Sequence, residues 1–163
     1  MPEVREANGY DIEIVAHYMR QSDRHELIAA SGQDPFAALS ESFDASEATW
    51  ALSDDHGPFA IFGVASAHVP CSQGLGVPWL LATDRLDDHA QWFLRSVTKR
   101  HINLMFNHFG DLVNYVHHAN RKSIAWLRWA GFTVHPPEVW GLGNERFHLF
   151  EANAATWRAK NHV

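Results

Sequence analysis

The chain has 163 residues, enough for one sizeable core and short for two, so a single domain spanning 1–163 is the expectation. Its 46% apolar and 20% charged residues exclude long disorder, and no run approaches the roughly 20 apolar residues of a membrane span. A formal charge of −6, with the densest basic cluster only at Arg95 to Arg100, argues against nucleic acid as a partner, although twelve His would offset that charge near their titration range.

Glu3 to Ala7 reads as a short first strand, and Gly9 breaks that pattern before Ile12, Val15, Tyr18 and Met19 recur at helical spacing. A second helix is expected from a Ser22 cap to Ala30, with Gly32 as its stop. Asp34-Pro35 starts a third, whose Phe36, Leu39 and Phe43 face the core. Thr49 to Leu52 and Phe59 to Val64 read as strands around Asp54-Asp55-His56-Gly57-Pro58, where the Gly-Pro pair makes a turn.

After a loop from Pro70 to Gly76, Val77 to Thr83 is an apolar run suited to a central strand buried on both faces. Asp84 is placed to cap the next element, a single helix of about six turns from Leu86 to Phe109. Leu86, Ala90, Phe93, Leu94, Val97, Leu104 and Met105 form its stripe, with no Gly or Pro inside, and Gly110 closes it. Leu112 to His117 is the next strand, Asn120 to Ala130 a helix stopped by Gly131, and Phe132 to Val134 and Arg146 to Glu151 two last strands. This order predicts an α/β (α+β) mixed sheet with helices on both faces. The single cysteine, Cys71, allows no intrachain disulfide and no Cys-based metal knuckle; with no basic-then-apolar stretch at the N-terminus, a cytoplasmic location is expected.

The segment from Asn120 through Ser123, Ile124 and Leu127 to Gly131-Phe132 resembles the GNAT N-acetyltransferases, in which an Asn, a small residue three later, an apolar helix and a final Gly-Phe recur. The order of elements from Ala48 to Glu151, about two thirds of the chain, is similar to that fold. Asp34-Pro35-Phe36, Pro78 to Thr83, Asn114-Tyr115-Val116 and Trp126-Leu127 together resemble a small GNAT-like family of tailed phages, some of whose members are named internal virion proteins.

The resemblance implies a mostly antiparallel central sheet, a splay between the fourth and fifth strands, and acetyl-CoA lying in it. Backbone groups of Leu81, Ala82 and Thr83 would polarise the thioester, and Asn120 either holds the pantetheine arm or caps its own helix. An amine-bearing small molecule or protein would be the acceptor. In a non-catalytic member the partner would be a phage or host protein, located in the bacterial host cytoplasm or the virion interior.

Two features depart from the family's pattern. The turn after the central strand is Thr83-Asp84-Arg85-Leu86-Asp87-Asp88-His89, with no glycine to cradle a diphosphate and three carboxylates that repel it. Arg85 is the only local counter-charge. Leu127 stands where many such enzymes carry a tyrosine acid, so Tyr115 on the neighbouring strand is the candidate replacement, against an ordinary half-buried tyrosine. Asp84 is either the general base or the helix cap. Acetyl transfer to generic amines is therefore expected to be slow or absent.

No metal is expected. His101 and His108 fall seven apart, and His117-His118 close a strand without two further convergent ligands, so they read as structural or surface histidines. His56, Asp54 and Asp55 read as a hairpin turn, and Cys71 as a nucleophile lacks a placed histidine. Of Trp126 and Trp129 one is expected in the core and the other beside a groove, with Trp140 a further contact residue.

Overall fold

The computed structural model describes residues 1–67 and 74–163. The chain runs β1 (Glu3–Glu6), α1 (Gly9–His17), α2 (Gln21–Ser31), α3 (Pro35–Asp44), β2 (Ser46–Asp54), β3 (Gly57–Ser66) and β4 (Leu75–Ala82). A 3₁₀ stretch (Asp84–His89), α4 (Ala90–Trp92), a π-helical turn (Phe93–Thr98) and α5 (Lys99–Met105) come next, then β5 (Asp111–His117) and α6 (Arg121–Trp129). β6 (Thr133–Val134), β7 (Glu138–Trp140), β8 (Glu145–Asn153) and α7 (Ala154–Asn161) complete the order.

Among the described residues the strands form one sheet in the order β1-β2-β3-β4-β5-β8-β6, with β7 paired to β8. All pairings are antiparallel except β4 with β5, as the fold expectation requires. That one parallel contact holds only Leu75 opposite Asp111 and Gly76 opposite Leu112. At Gly76 a Cβ would come within 2.6 Å of the Phe109 ring, so the closed end of the splay needs a residue without a side chain.

The reason the strands then part lies in the sequence. Thr83 N–H donates to Phe59 O at 2.9 Å, and the alternation of a strand therefore turns Leu81 and Trp79 toward β3 and Ala82, Leu80 and Pro78 toward β5. Pro78 has no N–H to give, and the ladder with β5 ends beside it.

Both faces of the sheet are covered, which is why β3 is buried through most of its length. On one side Ile12, Val15, Met19 and Leu39 pack on Ala51, Ile61 and Leu81; on the other, Phe62, Phe93, Val97, Ile102, Leu127 and Phe150 form the larger cluster. Asp34 caps α3 through Ala37 N–H at 3.0 Å, as read from the sequence. Phe36, expected in the core, is 53% exposed, because the proline at the start of the helix sets a register that buries Ala38 and Leu39 instead. Ser22 does not cap α2: Arg20 holds that position without a side-chain cap.

The stretch expected as one helix from Leu86 to Phe109 has no strand or loop between Ala90 and Met105, but it changes type three times and stops at Met105. Thr83, not Asp84, caps it, accepting Arg85 N–H at 3.3 Å. The π turn has a local cause: the Thr98 hydroxyl donates to Phe93 O at 3.1 Å, competing with regular helical bonding. Neither β7 nor α7 is signalled by periodicity. The first is three residues long, and the second shows only one strong apolar position, Trp157.

α2 is fixed at its C-terminal end by the hairpin of β7 and β8. Leu142 N–H donates to Ala30 O at 3.1 Å and Gly143 N–H to Ala29 O at 2.9 Å. These bonds satisfy carbonyls that the end of a helix leaves unpaired.

Gly131 ends α6 at φ +101°, and an added Cβ would meet Trp157 Nε1 at 2.8 Å. That indole donates to Ala130 O at 2.8 Å, so α7 is pinned to the same turn. Gly131→Ala should cost about 1–3 kcal/mol of stability, read as a lowered urea midpoint with unchanged far-UV circular dichroism. A midpoint equal to wild type would show that the turn relaxes freely.

Candidate functional site

Beyond Gly76 the two strands diverge around a slot, and a half-open cavity of about 360 Å³ fills it. Pro78, Trp79 and Leu80 line it from β4, Asn114, Tyr115 and Val116 from β5, and Arg20, Asp23 and Glu26 from the α2 side. On the opposite face its walls are the helices from Leu86 to Met105 and α6, with Trp126 and Leu127. Asn114 spans the gap, donating from Nδ2 to Pro78 O at 2.8 Å.

Groups that a splay leaves without strand partners are met by α2. Asp23 Oδ2 accepts Ala82 N–H at 2.8 Å, and Arg20 N–H donates to Ala82 O at 2.9 Å. One helical turn on, Glu26 Oε1 accepts His117 N–H at 2.8 Å and the Asn120 amide at 3.2 Å. Spacing i, i+3 puts both carboxylates on one face of the helix, where one reaches β4 and the other β5. Burial pushes both carboxyls up; the Arg20 charge and the Ala82 N–H only partly oppose this for Asp23, as the His117 N–H does for Glu26. Neither residue stands out in the sequence, since nothing local distinguishes them from the solvent-facing acids of any helix.

The residues expected to hold a thioester differ in where their backbone points. Thr83 and Leu81 direct their N–H groups to β3; Ala82 faces the gap with its N–H engaged by Asp23; Leu80, not singled out from sequence, also faces the gap. Asn120 caps α6 by accepting Ser123 N–H at 3.3 Å and reaches Glu26 as well. Tyr115 lines the slot and stacks on Trp140 with ring centroids 4.1 Å apart. Leu127 is buried in the cavity wall, so no hydroxyl occurs there.

Asp84 is exposed at the first position of the 3₁₀ stretch. Arg85 is turned onto Asp54 of the β2–β3 hairpin, which His89 also contacts at 2.8 Å. Although burial pushes the Asp54 carboxyl up, bonds from Arg85, His56 N–H and His89 outweigh it and hold the group far below the usual carboxylate range. Asp87 pairs with Lys122 of α6 at 3.0 Å across the slot's mouth. The apolar slot thus fits a pantetheine arm and its thioester. The turn beside it does not fit a diphosphate: its cation is spent on Asp54 and it carries Asp84, Asp87 and Asp88.

His25, His117 and Glu145 bring three potential ligand atoms within 4.8 Å of one another, a convergence that sequence spacing did not reveal. Ala119 N–H donates to His117 Nδ1 at 3.0 Å, which leaves the ring proton on Nε2, and Nε2 donates to Glu145 Oε1 at 2.7 Å. A metal ion on Nε2 would require the proton on Nδ1, facing the Ala119 N–H. As arranged, the trio is a hydrogen-bonded clamp between α2, β5 and β8, with His25 and His117 together holding the Glu145 carboxyl below its ordinary value. Trp126 lies against the cavity, and Trp129 is 49% exposed with Lys99 above its ring at 4.8 Å. Cys71 lies outside the described residues.

No protein-family model and no curated protein matches the chain. Solved structures do. An aminoglycoside N(6′)-acetyltransferase from Legionella pneumophila superposes with a TM-score of 0.68 at 14% identity, over 98% of this chain and 95% of that one. A spermidine N-acetyltransferase from Vibrio cholerae, in complex with CoA and spermine, gives 0.66 at 11% identity over 96% and 97%. An acetyltransferase of the GNAT family from Streptococcus pneumoniae gives 0.63 at 14% over 94% and 99%. With a sheet open between β4 and β5 and covered on both faces, the chain has the fold of the GNAT acetyltransferases.

Proposed function

We propose that this chain is an acyl-CoA-dependent N-acyltransferase whose acceptor is an amine on a small molecule or a protein. The observation that carries the reading is the slot itself, apolar where a thioester arm would lie and ending at the carboxylates of α2, Asp23 buried and Glu26 half-buried. An acyl-CoA supplies an activated carbonyl and a thiol leaving group. In this chain Leu80 N–H, which faces the gap, offers a donor to negative charge developing on a carbonyl oxygen seated there. Glu26 lines the same slot and is shifted toward the range in which a carboxylate takes a proton from an ammonium near neutrality. Tyr115, also lining it, is the candidate proton donor to the leaving thiolate, while Asp84 sits outside as an exposed residue of the turn.

A second reading is supported by a different observation. The α2 carboxylate on Ala82 N–H, the Asn114 amide on Pro78 O and the acidic turn occupy or oppose groups that a CoA thioester would use. A GNAT-fold phage structural, assembly or host-interaction protein, in the host cytoplasm or a virion interior, would have this character without catalysis. Thermal midpoints with and without acetyl-CoA and octanoyl-CoA separate the two, because a ligand of the folded state raises the midpoint.

Free thiol release with a panel of amines tests the chemistry. Glu26→Gln should lower turnover by about 10²- to 10⁴-fold while leaving donor affinity in place. Full activity in that variant would remove Glu26 from the role of base.

The same variant carries a prediction on stability. Glu26 binds its proton more tightly folded than unfolded, so its contribution is fully present below the ordinary value of 4.5 and is lost as pH rises through the raised folded value. Gln keeps an oxygen for both His117 N–H and Asn120 and has no charge to bury. As pH rises above the ordinary value of 4.5, urea midpoints of wild type should therefore fall relative to those of Glu26→Gln. Parallel curves would show that Glu26 does not titrate in the folded protein over that range.

A further inference from the structure

The slot does not end at the splay. Beneath β4 and β5 it continues into the larger core cluster, where Phe93, Val97, Ile102, Met105, Phe132 and Phe150 line it. Of the polar atoms on that wall, Thr98 Oγ1 and His101 Nδ1 are already engaged within the helix, which leaves His101 Nε2 as a remaining acceptor. Thr98 Oγ1 donates to Phe93 O and accepts Trp126 Nε1–H, each at 3.1 Å, and His101 Nδ1 lies 2.8 Å from Val97 O. A space so lined has little to offer water and favours an apolar occupant.

Direction follows from the two ends. At α2 the slot meets Arg20, Asp23 and Glu26, and at its mouth Asp87 and Lys122, so an alkyl chain is disfavoured at both. Among the described residues, the branch under the π turn is mostly apolar, with Thr98 and His101 as its polar side chains and no carboxylate, lysine or arginine. The π turn forms part of this branch, and such turns occur frequently at functional sites.

We infer that this inner branch is a binding site for a linear alkyl chain attached to a carbonyl, and that the acyl group transferred is longer than acetyl. The inference rests on the acyltransferase reading for its second half; the alkyl site stands on the cavity alone. With the carbonyl near Leu80 N–H, the chain turns inward past Phe93 and Val97 toward Ile102 and Phe150. The acceptor amine attacks the thioester carbonyl, the C–S bond breaks, the amine proton passes to Glu26, and the thiolate leaves with a proton from Tyr115 or water. The alkyl chain takes no part in bond exchange; its burial positions the carbonyl.

The test uses the full chain with acetyl-, octanoyl- and dodecanoyl-CoA, following thiol release and thermal midpoint, with octanoate and free CoA as separate ligands. Each methylene buried should raise affinity about three- to fourfold, so octanoyl-CoA should exceed acetyl-CoA by well over about tenfold in kcat/KM. Acetyl-CoA equal to or better than octanoyl-CoA would overturn the inference while leaving the acyltransferase reading intact. If no donor turns over, the acyltransferase reading and the transfer half of the inference fail together, and the midpoints judge the alkyl site. A rise with octanoyl-CoA or octanoate but not free CoA sustains it, and no rise with any alkyl ligand ends it. Val97→Phe, which fills the branch, should abolish the chain-length preference. Should that variant fold poorly, the wild-type chain-length series decides without it.

Discussion

Pro78 occupies a strand position whose backbone points at β5 but carries no N–H. Two residue pairs into the β4–β5 contact, the ladder meets a residue that cannot extend it, and everything past that point must be satisfied by other means. The slot, its apolar filling and the use of α2 as a surrogate strand partner all follow from that missing donor. A proline inside a strand buried on both faces is ordinarily a contradiction; here it marks the side on which the strand has no neighbour.

The service that α2 provides in exchange has a cost. Asp23 and Glu26 accept backbone N–H groups from β4 and β5, and both lose water to do so, with Arg20 the cation paired with Asp23. The resulting electrostatics are asymmetric. The α2 end of the slot is polar and acidic, the turn at its mouth is acidic with its arginine committed to Asp54, and the middle is hydrocarbon. On the proposed reading the first would receive an amine and the last an alkyl chain, and none of the three suits a diphosphate.

Much of the architecture was legible because it is written in local rules. Asp34-Pro35 and Asn120 start helices by capping, Gly32 and Gly131 stop them at positive φ, and apolar runs mark the central strands. The splay was legible only through resemblance, although Pro78 carried its physical signal. The site itself was mostly hidden. Asp23 and Glu26 matter because a helix from one end of the chain meets strands some 60 and 90 positions later, and no periodicity encodes such a meeting. The helix after β4 was misjudged in type rather than place, since one threonine hydroxyl is enough to divert its bonding at Phe93.

The sheet is in effect two half-sheets, β1 to β4 and β5 to β8, touching through two residue pairs and spanned by α2. Near its start α2 holds the first half through Asp23 and Arg20; at its far end Leu142 and Gly143 grip its carbonyls from the second. Mechanically it is a crossbar between two plates. Its length and register set the opening of the gap, so a residue inserted into or removed from α2 would rotate the far attachment by about 100° and carry the second plate with it. The width of the slot is therefore a property of helix geometry as much as of the side chains that line it.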